Sequence, residues 1–223
     1  MVEIEVNGVR MVYRVAGAPA APPVVLLHAL GESGAHWGTV SARLAGGFRV
    51  YAPDLRGHGG SAWPGAYSLE LMRDDVLALL DALGLDRVDL VGHSMGGVVA
   101  YLLAQHAPGR VRRLVVEDAP PPRPRTPSVP TRPAGTLPFD WEMVLALRRQ
   151  IDNPPAAWLD GLARITADTL VVAGGPTSHV PQDGLADLAR RIPSARLVTV
   201  PAGHLVHATD PQAFLGAVLP FLR

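Results

Sequence analysis

The segment Val88–His106 reads VDLVGHSMGGVVAYLLAQH, and its two halves follow different patterns. Val88 to Val91 is a short apolar run suited to a strand buried on both faces, whereas Met95 onward is long and apolar enough for a buried helix. Ser94 therefore falls on a strand-to-helix turn. A turn that sharp makes side chains two positions either side collide, which accounts for glycine at 92 and 96. It presents the serine hydroxyl, and the helix N-terminus stabilises negative charge beside it. A bare G-x-S-x-G occurs in many proteins; here the strand before it and the helix after it make it specific.

The same alternation of elements extends in both directions. Val2 to Val6 and Val9 to Val15 alternate apolar with polar residues around Asn7-Gly8, the pattern of an antiparallel hairpin. Short apolar runs follow at Val24 to Leu27, Phe48 to Tyr51, Leu114 to Val116, Leu170 to Ala173 and Leu197 to Val200. Helical spacing runs from Leu69 to Leu83, with Ser68 as cap and Gly84 as stop, and again over Gln182 to Arg191 and Pro211 to Leu222. The order predicts an α/β fold: a mostly parallel, twisted sheet of about eight strands with helices on both faces.

Ala119 to Ala134 interrupts this rhythm with seven prolines, at 120, 121, 122, 124, 127, 130 and 133, and should be extended without sheet bonds. Two short amphipathic stretches follow, at Trp141 to Ile151 and Pro155 to Ile165. The expected organisation is a core domain of residues 1–118 and 169–223, with residues 119–168 as a small cap over one end of the sheet.

The composition narrows the function classes. The 223 residues carry 20 Lys+Arg and 20 Asp+Glu, a formal net charge of zero, so no broad field draws the chain to nucleic acid or an anionic membrane. Absence of cysteine removes disulfides, thiolate nucleophiles and sulfur-ligated metals. The opening residues alternate and carry acids, and no apolar run approaches ~18 residues, so neither an export signal nor a membrane span is expected. A cytoplasmic location follows as the expectation. The histidines are scattered over separate loops and no H-E-x-x-H is present, so no metal and no cofactor is expected.

A serine nucleophile needs a base within hydrogen-bond reach. His204 follows the last strand through Pro201-Ala202-Gly203, and parallel strands open their C-terminal loops on one side, which puts this loop at the rim that carries Ser94. Acyl transfer also needs two donors for the developing oxyanion. Met95 N–H at the helix start is one, and Leu30 N–H, in the loop His28-Ala29-Leu30-Gly31, is the second.

These stretches together resemble the α/β-hydrolase superfamily, in its short, single-domain esterase and lactonase form. The likeness runs through VVLLHALGESGAHW, VYAPDLRGHGGS, LVGHSMGG, RVRRLVVEDAPPP, TLVVAGG and VTVPAGHLVHATDPQAFLGAVLPFL. It implies a Ser–His–acid triad and an acyl-enzyme. Asp54, Arg56 and His58 match a turn that is structural in that family. The acid departs from the usual pattern: after Leu170 to Ala173 the chain reads GGPTSHVP, with no carboxylate. Some superfamily members draw the acid from the preceding strand, where this chain has Glu117-Asp118. Asp118 is the expected acid, with Glu117, Asp183 or a Ser–His dyad without an acid as alternatives; Asp168 precedes its strand and lies at the wrong end of the sheet. Leu30 and Met95 are the residues expected beside the substrate, while Trp37, Phe139, Trp141 and Trp158 can equally fill the core.

The expected activity is hydrolysis of small or medium carboxylic esters, lactones and thioesters being neighbouring classes. Cofactor-free haloperoxidase or perhydrolase chemistry on the same acyl-enzyme, and a non-catalytic ligand receptor, are the alternatives. Epoxide hydrolases and dehalogenases use a carboxylate nucleophile, and position 94 is serine.

Overall fold

The computed structural model describes residues Met1–Arg223. Strands β1 (Val2–Val6), β2 (Val9–Ala16), β3 (Pro23–Leu27), β4 (Arg49–Pro53), β5 (Val88–His93), β6 (Val111–Glu117), β7 (Asp168–Ala173) and β8 (Ala195–Thr199) form one sheet in the order β1-β2-β4-β3-β5-β6-β7-β8. β2 pairs antiparallel with β1 and β4, and every other pairing is parallel. Asn7 and Gly8 turn the first hairpin at φ 52° and 70°, as the dipeptide requires.

Successive side chains of a strand point to opposite faces, so a continuously apolar strand needs cover on both. Val25 and Leu27 of β3 pack with α2 (Leu69–Ala82), α3 (Met95–His106), α4 (Trp141–Asp152) and α6 (Gln182–Arg191). Val24 and Leu26 pack on the other face with α1 (Gly38–Leu44) and α8 (Pro211–Leu222). Each such buried side chain stabilises the fold by roughly 1.5–3 kcal/mol. Helix α3 is buried from Met95 through Gln105, between the sheet and α2, which is why it is apolar all round. Ser68 caps α2 by accepting from Leu71 N at 3.0 Å, and Gly84 follows at φ 65°.

Three features differ from the expectation. Leu197 in β8 is 43% exposed, because β8 is an edge strand with one open face; hydropathy does not distinguish it from the central strands. The helical stretch from Gly34 through α1 carries no side-chain cap at its α1 start, so its periodicity is weak in sequence. The run Pro155 to Ile165 divides into α5 (Ala156–Asp160) and a 3-10 turn, Gly161–Arg164.

Residues 119–140 carry no helix or strand beyond an isolated bridge of Phe139 with His58. Asp152, at the end of α4, anchors the proline-rich stretch: it pairs with Arg125 and Arg148 and accepts from Ser128 N. Helices α4 and α5 lie directly on the core helices. Gln150 Oε1 accepts from Leu69 N at 2.9 Å, Trp158 Nε1 donates to Glu70 at 2.8 Å, and Gln105 Nε2 donates to the Trp158 carbonyl at 2.9 Å. Trp158 and Trp37 are buried core residues. No helix is long and apolar enough to cross a membrane.

Candidate active site

Ser94 sits between β5 and α3 at φ 52°, ψ −117°, a strained conformation for a residue with a side chain. The crowding that holds it there is measurable at the neighbouring glycines. A Cβ at Gly92 would lie 2.3 Å from the Gly96 carbonyl oxygen, and one at Gly96 would lie 2.4 Å from that of Leu27. Ser94 N donates to the Glu117 carbonyl at 3.0 Å, which ties the turn to the end of the adjacent strand β6.

The residue just after β6, Asp118, is also left-handed, at φ 45°, and fully buried. Its Oδ2 lies 2.8 Å from His204 Nδ1. Three further groups donate to this carboxylate: Gly174 N at 2.8 Å, Ser178 Oγ, and Gln182 Nε2 at 3.2 Å. Burial by itself raises the Asp118 pKa, but hydrogen bonds from His204, Ser178, Gly174 and Gln182 outweigh it and hold the carboxyl below its usual range. Sequence reasoning missed Ser178 and Gln182. They belong to the segment after β7 that lacks a carboxylate, and it delivers donors to Asp118 instead.

His204 is positioned through its backbone. Gly203 N donates to the Gly174 carbonyl at 2.9 Å, and His93 Nε2 donates to the His204 carbonyl at 2.9 Å. His93, adjacent to Ser94, thus holds the loop of His204. The exposed His179 ring stands edge-on to His204 at 4.2 Å, and its pKa is lowered by partial desolvation and by His204. Ser94 Oγ and His204 Nε2 make no hydrogen bond to each other; His204 is held by Asp118 at its Nδ1 and by His93, the neighbour of Ser94, at its carbonyl.

The other two carboxylates lie elsewhere. Glu117 accepts from His207 Nδ1 at 2.9 Å and from His207 N at 2.8 Å, and the His207 ring stacks on Trp37 at 4.1 Å. Asp183 is exposed in the first turn of α6, where it accepts from Gly184 N.

Leu30, 40% exposed, lies in the loop after β3, and its N–H has no acceptor within the chain. Met95 is the first residue of α3, where backbone N–H groups lack helical partners. Two buried histidines brace the loop around Leu30. His58 Nε2 accepts from Gly31 N at 3.1 Å and its Nδ1 donates to the Arg56 carbonyl; His28 Nε2 accepts from Leu55 N at 2.9 Å and its Nδ1 donates to the Ala29 carbonyl. Burial lowers their pKa values to about 4 for His28 and about 3 for His58, so both rings are neutral and able to accept. Phe139 closes on the same loop: a Cβ at Gly31 would be 3.2 Å from its ring. Arg56 and Asp75 form a buried two-point ion pair behind it.

A sheet with this strand order and a serine on its strand-to-helix turn define an α/β-hydrolase fold, and the family described as alpha/beta hydrolase fold matches residues 22–152. The chain belongs to that family. It is 30% identical over 254 residues to mouse sn-1-specific diacylglycerol lipase ABHD11, covering 92% of this chain and 82% of that protein. A hydrolase from Pseudomonas aeruginosa PA01 superposes with a TM-score of 0.86 at 31% identity, over 99% of this chain and 97% of that one. The enol-lactonase from Burkholderia xenovorans LB400 superposes at 0.87 with 25% identity over 99% of both. Proteins of Mycobacterium tuberculosis match at 42% identity over 115 residues, 51% of this chain, and the chain spans 33% of their length.

Proposed function

We propose that this chain is a serine hydrolase that cleaves carboxylic esters, lactones included, of small to medium size through an acyl-enzyme on Ser94. The observation that carries the reading is the convergence of three strand ends: Ser94 strained at φ 52° after β5, Asp118 after β6, and His204 after β8 with its Nδ1 2.8 Å from Asp118. The lipase and lactonase among the similar proteins support the substrate class.

In this mechanism His204 Nε2 takes the Ser94 hydroxyl proton as Oγ attacks the ester carbonyl carbon. Asp118 keeps the imidazole proton on Nδ1 and stabilises the imidazolium. The carbonyl oxygen becomes an oxyanion held by the N–H groups of Leu30 and Met95. The carbon–oxygen bond to the alcohol then breaks, and His204 returns the proton to the leaving oxygen. Water, deprotonated by the same ring, then attacks the acyl carbon; the bond to Ser94 Oγ breaks, His204 returns the proton to Oγ, and the acid leaves. No step needs a cofactor. A carboxylate at position 94 would be required for epoxide or haloalkane opening by alkyl transfer.

Hydrolysis of p-nitrophenyl esters combined with fluorophosphonate labelling tests the proposal. The expected result is turnover and labelling at Ser94, both absent in Ser94→Ala. A folded wild-type protein that neither turns over any ester nor takes up the label would reject it.

A further inference from the structure

Four buried side-chain polar atoms have no hydrogen-bond partner, and two of them are imidazole nitrogens, His93 Nδ1 and His207 Nε2. Both rings are buried, at 0% and 1% exposure, and their centroids are 5.0 Å apart. Glu32 reaches the same space: its Oε2 is 3.8 Å from His93 Nδ1, and one ligand atom from each of the three residues lies within 4.8 Å of the others.

The opposite nitrogens decide what these atoms can do. His93 Nε2 donates to the His204 carbonyl and His207 Nδ1 donates to the Glu117 carboxylate, so each ring carries its proton on the far side. Singly protonated rings turn the lone pairs of His93 Nδ1 and His207 Nε2 toward each other and toward the Glu32 carboxylate. Burial lowers the His93 pKa but the charges of Glu117 and Glu32 raise it on balance, so a proton on Nδ1 competes with a cation for this place. No hydrogen-bond donor in the chain reaches these lone pairs, and a buried acceptor left without a partner is costly. Glu32 and Glu117 also bring two negative charges to the cluster.

We propose that Glu32, His93 and His207 bind a divalent cation of the zinc class. Two imidazoles and a carboxylate are a donor set for zinc and its borderline neighbours, not for magnesium or calcium, which take oxygen. Ligand atoms around tetrahedral zinc are roughly 3.4 Å apart, from bond lengths of about 2.0–2.1 Å. Glu32 Oε2 is already 3.8 Å from His93 Nδ1, and Glu32, the partly exposed member at 14%, is the ligand freest to shift onto a cation beside the two buried rings. Glu117 on His207 and the His204 carbonyl on His93 are the outer partners that orient metal-bound histidines. The ligands come from three elements: the loop after β3, the end of β5, and α7 (Val206–Thr209). The cation locks His93, whose far nitrogen holds the backbone of His204, and so stiffens the rim of Ser94 without touching substrate. The inference goes beyond the esterase reading and stands independently of it, since its readout is binding.

Protein stripped with a chelator is titrated with Zn²⁺ by calorimetry and with Co²⁺ by visible absorption. The expected result is one equivalent bound per chain, d–d bands of a low-coordinate nitrogen and oxygen site, and a rise in Tm. Glu32→Gln and His207→Gln each weaken binding by about 10- to 100-fold or more, whereas His179→Ala, which deletes the exposed ring beside His204, leaves it unchanged. His207 is buried and its variant can lose stability, so the partly exposed Glu32→Gln, checked for folding by circular dichroism, is the second variant. Absence of stoichiometric binding by the wild type overturns the proposal. So does binding that survives both ligand variants, or that is lost in His179→Ala: the cluster then holds a shared proton or an enclosed water.

Discussion

Glu117 and Asp118 are consecutive in the chain, yet each holds a different histidine: Glu117 bonds His207 Nδ1 at 2.9 Å and Asp118 bonds His204 Nδ1 at 2.8 Å. The strand's alternation sends neighbouring side chains to opposite sides, and the left-handed turn at Asp118, φ 45°, aims its carboxylate at the rim. The two carboxylates therefore have separable effects.

Asp118→Asn should lower ester kcat by about 10⁴-fold, because an amide cannot accept from both Gly174 and the protonated Nδ1 and so selects the wrong imidazole tautomer. Asparagine tolerates the left-handed backbone, so the fold should survive. Glu117→Gln should instead reduce stability, by about 1–3 kcal/mol, through its buried bonds to His207. Steady-state kinetics and urea melts on both variants check this; a larger kcat loss in Glu117→Gln than in Asp118→Asn would reverse the assignment.

Ser178 and Gln182 act on the reaction only through Asp118. Ser178→Ala and Gln182→Ala should each reduce kcat by about 10-fold, the loss of one hydrogen bond to a charged group at ~1.5 kcal/mol, with KM little changed. Gln182→Glu, which sets a second carboxylate against Asp118, should be worse than alanine. Equal kcat in all three variants and the wild type would show that the carboxylate is positioned without them.

His28 and His58 make stability depend on pH. Their folded pKa values, about 4 and about 3, lie below the unfolded value of 6.5, so unfolding takes up protons between those limits. The stability of neutral, accepting rings is fully present above 6.5 and falls with pH, by about 1.4 kcal/mol per unit for each histidine, until the folded values are reached. Urea melts at about pH 7 and about pH 5 should show this slope, and His58→Gln, which keeps a donor and an acceptor, should flatten it by about half. A wild-type stability that does not change across this range would contradict neutral burial.

The glycines give a paired test. Gly92→Ala sets a methyl group 2.3 Å from the Gly96 carbonyl oxygen, within one rigid turn, and should destabilise by at least ~4 kcal/mol. Gly216, exposed in α8 with nothing within 4 Å of an added Cβ, should become more stable by about 0.5–1 kcal/mol as alanine. Thermal melts of both variants decide it; a tolerated Gly92→Ala would mean that the turn at Ser94 is not the crowded one described.

The local code of the chain was readable where it is repeated and strong. Doubly covered strands are continuously apolar, caps such as Ser68 mark helix starts, and the glycines around Ser94 announce a turn with no room for side chains. Parallel strands also dictate a common rim for their C-terminal loops, which places Ser94 and His204 at one end without coordinates. The edge position of β8 and the weakly signalled α1 were not readable, since both depend on what lies alongside them.

Which carboxylate meets which histidine was decided by the tertiary structure. Glu117, Asp118 and Asp183 are equivalent as letters; they differ in strand alternation, in one left-handed backbone angle and in exposure. The gathering of Glu32, His93 and His207 is of the same kind. Short-range pattern follows from covalent periodicity and sterics, which act within a few residues, whereas these meetings join positions 61 to 175 residues apart, by the differences in their numbers, and exist only once sheet order has been chosen by burial.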